Sequence, residues 1–212
     1  MRPMARLAEG LARGDDGVVR CFWAGSDPLY RQYDHRFVTP DPLEFVRAQA
    51  TDADREVAGL VAAGLAFGTV AQIKRSIAAV LDVLGPRPAE AVAALDPREA
   101  ATRLRRFRHR WLDGRDVACL LFLVKQMRAS HGTVEAFFAE GLGPDDPDVG
   151  PALVSFSARA LELDHGGLYR GRRLPRDAGV RYFFPSPQAT AASNRGSAMK
   201  WSSMFRAEMF FP

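Results

Sequence analysis

Residues Tyr33 to Ser76 read YDHRFVTPDPLEFVRAQATDADREVAGLVAAGLAFGTVAQIKRS. The second half of this stretch predicts two helices joined by a tight turn. Asp41 and Pro42 are suited to open a short helix at 41–45, with Asp41 as N-cap and Pro42 at the first helical position. Glu44, three residues after Asp41, approaches a capping box. Thr51 or Asp52 then caps a helix over about 54–66, in which Val57, Leu60, Val61 and Leu65 recur on one face. Phe67-Gly68-Thr69 interrupts the pattern, and a further helix over 70–84 is closed by Gly85-Pro86.

Helical patterning continues outward in both directions. Toward the N-terminus, 2–13 and 15–23 read as short helices broken at Gly14. Toward the C-terminus, helices are expected at 89–95, 98–107, 115–130, 134–140 and 152–163, with GLGPDDPDVGP (141–151) as a loop. Beyond 164 the signal weakens. GG, GRR, LP and AG dipeptides mark irregular chain, with a brief hairpin between Leu168-Tyr169 and Val180–Phe184 as one option. Residues 197–211 read as a last helix. The expectation is an all-α fold of eight to ten helices, organised as a helical domain (1–163) and a basic, partly irregular segment (164–212).

Composition restricts the class. The chain has 212 residues, 47% hydrophobic and 25% charged, the ordinary balance of a globular protein able to bury a sizeable core. Cys21 and Cys119 are far apart and lack Cys/His spacing, so neither a disulfide framework nor a metal site is expected, and no residue pattern calls for a cofactor. The N-terminal stretch MRPMARLAEGLARGDD lacks an apolar core of secretory length, pointing to the cytoplasm. The uncharged run Val57–Ile73 is shorter than a bilayer span and diluted by glycine, so no membrane association is expected.

Charge is unevenly spread. From His165 onward eight basic residues face two acidic ones, leaving the preceding 164 residues at −2 of an overall +4. A second basic knot, RLRRFRHRW, covers Arg103 to Trp111. Arginines interleaved with Phe107 and Trp111 suit a phosphate-binding surface, which makes Arg105, Arg106, Arg108, Arg170, Arg172 and Arg173 candidate nucleic-acid contacts. The alternative is compositional. Only Lys74, Lys125 and Lys200 are lysines, and an arginine-rich helix face can simply be solvated. On that helix His109 reads as a surface residue.

Other polar groups have paired readings. Tyr33, Asp34, His35 and Arg36 fall in a loop, where Asp34 can orient His35 and Arg36 can hold a phosphate. The same residues also suit a local turn capped by Asp34. Lys200, beside backbone N–H groups left available at Ser197, is either a phosphate contact or a solvated lysine. His131 before Gly132 fits a helix C-terminus. Asp41, Glu44 and Glu56 read as caps and first-turn charges.

The strings YDHRF, TPDPLEF, the helix ending in Leu65-Ala66-Phe67-Gly68, Pro185-Ser186-Pro187 and Gly196-Ser197-Ala198-Met199-Lys200 occur in this order. Together they resemble a bacterial family of uncharacterised proteins, a domain of unknown function. The apolar helix pair entered through Pro40-Asp41-Pro42-Leu43-Glu44 is also similar, distantly, to the helix-hairpin-helix DNA glycosylases. That resemblance implies a DNA-repair architecture in which the turn Gly64–Thr69 faces DNA. Phe67 would stack on a base or wedge into the duplex and Gly68 would admit a phosphate, or else Phe67 is a core anchor and Gly68 a helix C-cap. The family's Asp-Thr-His string is missing, and WSSMFRAEMFFP follows Lys200 where the family reads differently. The expectation is therefore an altered C-terminus lacking part of a catalytic site, with no catalytic residue to transfer. Two rival functions are a non-enzymatic helical interaction protein and an enzyme acting on a free nucleoside or base.

Overall fold

A computed structural model of the chain describes residues 38–146, 148–171 and 173–186. The chain divides into two compact units, 1–40 and 41–212. In the second, the described residues form eight α-helices, one 3-10 helix and a two-stranded ribbon, so the all-α expectation holds. The helices are α1 (Leu43–Arg47), α2 (Asp52–Gly64), α3 (Val70–Leu84), α4 (Pro88–Ala93), α5 (Pro97–Arg103), α6 (Gly114–His131), α7 (Val134–Ala139) and α8 (Gly150–Glu162). Strands β1 (Arg108–His109) and β2 (Leu112–Asp113) lie between α5 and α6, and the 3-10 turn spans Gly179–Phe183. The helices expected at 2–13, 15–23 and 197–211 lie outside the described residues.

Side-chain caps start most of these helices. Thr51, Thr69 and Thr133 accept from the backbone N–H groups of Asp54, Gln72 and Ala136, satisfying donors that the first turn leaves open. Asp96 accepts from Arg98 and Glu99, with Pro97 at the first position of α5. Asp113 opens α6 with a reciprocal capping box to Asp116. Asp41 accepts from the Leu43 N–H at 2.8 Å, but it stands two residues ahead of α1, whose N-cap is Pro42 and not Asp41 as expected.

α6 is the hub. Val117, Ala118, Leu120, Leu121, Leu123, Val124 and Met127 are buried nearly all round it, as suits a helix enclosed by others. Helices α4, α5 and α7, strand β2 and the 3-10 turn pack on it, while α2 contacts α1, α3 and α4. Val57, Leu60, Val61 and Leu65 are all buried, as their spacing predicts. Gly64 permits close approach, since a Cβ there would lie 2.8 Å from the Phe183 ring.

Glu56 does not behave as a first-turn charge. It reaches across the fold, accepts from the N–H groups of Val134 (2.7 Å) and Glu135 (3.1 Å), and pairs with Arg128. It thereby caps α7 from another helix. Glu44 pairs with Lys74 of α3 at 2.6 Å.

Two sequence expectations are corrected. The helix expected over 98–107 stops at Arg103, and the chain turns through 104–107 into the ribbon, which pairs Arg108 with Asp113 and His109 with Leu112. The hairpin considered between Leu168-Tyr169 and Val180–Phe184 does not form. Residues Gly179–Phe183 adopt the 3-10 turn instead, because Val180 and Phe183 are buried three residues apart, a spacing that matches a 3-10 turn and not a strand.

Candidate functional site

The turn after α2 and the basic knot before α6 meet at one aromatic cluster. Phe67 stacks on Trp111 with ring centroids 4.8 Å apart and planes at 24°. It also meets the Tyr182 ring at 4.8 Å and the edge of His109 at 4.4 Å, while Trp111 and Tyr182 are perpendicular at 5.2 Å. Such offset and edge-on geometries suit aromatic quadrupoles.

His109 holds the cluster together and is the clearest departure from the sequence reading. It is fully buried, with Nδ1 2.8 Å from the Ser76 hydroxyl and Nε2 2.9 Å from the Phe67 carbonyl. A carbonyl only accepts, so Nε2 carries the proton, and in the neutral ring Nδ1 accepts from Ser76. One imidazole thus ties the 66–69 turn and α3 to the ribbon. A surface position follows only if the knot is helical, and the helix stops at Arg103. In a ribbon, alternation sends His109 inward while Arg108 and Arg110 point out.

The arginines are on the surface. Arg103, Arg105, Arg106, Arg108, Arg110 and Arg115 are exposed. Among the described residues no ion pair engages Arg105, Arg106, Arg108 or Arg110. Arg108 donates to the Phe107 carbonyl at 2.7 Å, and Arg110 places its guanidinium carbon 5.6 Å from the Trp111 ring centroid. Gly68 is exposed with φ +113°, a conformation that favours glycine. It does not cap α2, whose last turn closes at Leu65. Phe67 is half-buried and packed on the core, so it is an anchor whose ring also supports Trp111.

The second arginine run is carried to the same end of α6. Tyr169 donates to Asp116 at 2.5 Å, and the Arg115 guanidinium lies 4.9 Å from the Tyr169 ring centroid. Arg170, next in sequence, and Arg173 are exposed, whereas Arg172 is outside the described residues. Burial, then the Asp116 hydrogen bond and charge, push the Tyr169 phenol well above its ordinary range. Cys119 is likewise pushed up to about 12, chiefly by burial and then by Asp116 and Asp164, so its thiol stays protonated and unreactive at neutral pH. Asp116 also packs on the backbone of Gly179, where a Cβ would fall within 2.4 Å of its carboxylate. These groups lock Tyr169 and Gly179 onto α6. Nearby His165 is buried, and its Nδ1 has no hydrogen-bond partner among the described residues.

Tyr33, Asp34, His35, Arg36, Ser197 and Lys200 lie outside the described residues. Among those described, no group of three or more His, Cys, Asp and Glu residues is placed to hold a metal ion, and no helix is long and apolar enough to cross a membrane. Sequence reasoning passed over Tyr182 and the inward role of His109. The alternation Phe107-Arg108-His109-Arg110 was the available signal for the latter, whereas Tyr182 had none.

No curated protein and no solved structure matches the chain. A family model described as "Protein of unknown function (DUF2400)" matches residues 41–209, beginning where the second compact unit begins. The chain belongs to this DUF2400 family.

Proposed function

We propose that the α6 N-terminal end of the protein is a nucleic-acid-binding face. The observation that carries the reading is the set of exposed arginines, Arg105, Arg106, Arg108 and Arg110, on a short ordered segment without carboxylate partners among the described residues. Unpaired guanidinium groups attract a polyanion and release its counterions on binding. Arginine's fork also suits phosphate oxygens better than a lysine point charge does. Arg170 and Arg173 extend the positive surface. The sequence likeness to helix-hairpin-helix DNA glycosylases makes DNA the first ligand to test, within a DNA-repair-like role.

The test is anisotropy of a labelled DNA oligonucleotide titrated with protein at several salt concentrations. Affinity should fall steeply, with a log–log slope near one unit per phosphate contact, about three to six units in all. Affinity unaffected by salt would leave the arginines compositional and favour a protein-interaction role.

A further inference from the structure

The geometry points to Trp111 as a stacking platform for one unpaired nucleobase, so that the face takes single-stranded nucleic acid, or a duplex with an unpaired base, in preference to an intact duplex. This rests on the nucleic-acid reading above and names the form of ligand. Trp111 is 57% exposed, at a position where the hydrophobic effect alone would bury an indole. It is nevertheless held in place. Phe67 stacks beneath it, Tyr182 abuts it at a right angle, and His109, its neighbour but one, is anchored on both ring nitrogens.

The backbone contributes as well. Arg110 and Trp111 form the two-residue loop between β1 and β2. Arg110 has φ +54°, the one non-glycine residue with positive φ among the described residues. Glycine or asparagine ordinarily occupies such a position in tight hairpins. Here the loop keeps an arginine, whose guanidinium lies over the exposed indole at a strained turn, 5.6 Å from its centroid, where a stacking base would displace it. An indole surface backed by a second ring accepts the face of any base, and adjacent arginines supply contacts to the flanking phosphates. Bases in an intact duplex are already stacked on their neighbours and offer no free face. The surrounding charge selects an anionic occupant over an apolar peptide.

The experiment compares an oligothymidylate of about ten nucleotides with a fully paired duplex of equal length, for the wild type, Trp111→Ala and Trp111→Phe, with far-UV circular dichroism and thermal melting as fold controls. Wild type should bind the single strand about tenfold more tightly than the duplex. Trp111→Ala should lose that preference with its salt slope unchanged, and Trp111→Phe should retain most of it, as base–aromatic stacking requires. Salt-dependent binding that Trp111→Ala leaves intact, or weakens equally for both ligands, overturns the platform while sparing the nucleic-acid reading. Absence of binding to either ligand overturns both. Self-association that disappears in Trp111→Ala would assign the indole to a contact between protein copies and overturn the proposal.

Discussion

His109 has the strongest leverage of any single residue on the candidate site. Its two hydrogen bonds, to Ser76 and to the Phe67 carbonyl, are made away from water, so removing the ring strands two polar groups. Each stranded group costs about 1–3 kcal/mol, and the vacated volume adds to that. His109→Ala should therefore destabilise the protein by about 3–5 kcal/mol in urea unfolding, provided the unit unfolds cooperatively. A change below about 0.5 kcal/mol would mean the imidazole is not holding the turn to the ribbon. The candidate turn was legible in the sequence because glycine beside an aromatic at the end of an apolar helix is a local signal. The use of Phe67 was not, because it depends on Trp111 and Tyr182, 44 and 115 residues further along the chain.

The helices were legible because their causes are local. Thr51, Thr69, Asp96 and Thr133 stand one residue before the helices they cap, and the buried face of α2 follows its 3.6-residue spacing. The ribbon was not legible. Strands of two residues are too short for a periodic signal, and arginine favours helices strongly enough to hide them. What ends α5 is tertiary. Leu104 and Phe107 turn into the core, and a Cβ at Gly114 would meet the Leu104 carbonyl oxygen at 1.9 Å, so the ribbon closes tightly only over a glycine. Part of the cap of α7 is tertiary too, since Glu56 of α2 accepts from Val134 and Glu135 while Thr133 accepts from Ala136. Losing Glu56 strands the Val134 and Glu135 N–H groups of α7 and leaves Arg128, which is largely buried, without its carboxylate. Glu56→Ala should cost about 3–5 kcal/mol, the scale for breaking a buried ion pair from one side. Hydrogen exchange should show the loss first in α7. Unchanged protection at Val134 and Glu135 would contradict the capping role.

At the scale of the whole molecule, α6 organises the described fold, and its N-terminal end gathers the features that suggest function. The ribbon delivers Arg108, Arg110 and Trp111 there, and Asp116 with Tyr169 brings the chain that carries Arg170 and Arg173. The opposite end of α6 is different in character. His131, Arg159 and Glu140 form a mixed-charge cluster there, with His131 3.0 Å from Glu140, and such a cluster offers a polyanion little net attraction. The two ends give a direct comparison within one molecule. The deciding measurement is hydrogen–deuterium exchange of the full chain with and without a short DNA oligonucleotide at low salt. Added protection should concentrate in residues 66–69, 104–113 and 169–171, with 131–140 unchanged. Protection centred on 131–140, or none anywhere under conditions where DNA is bound, would contradict the account.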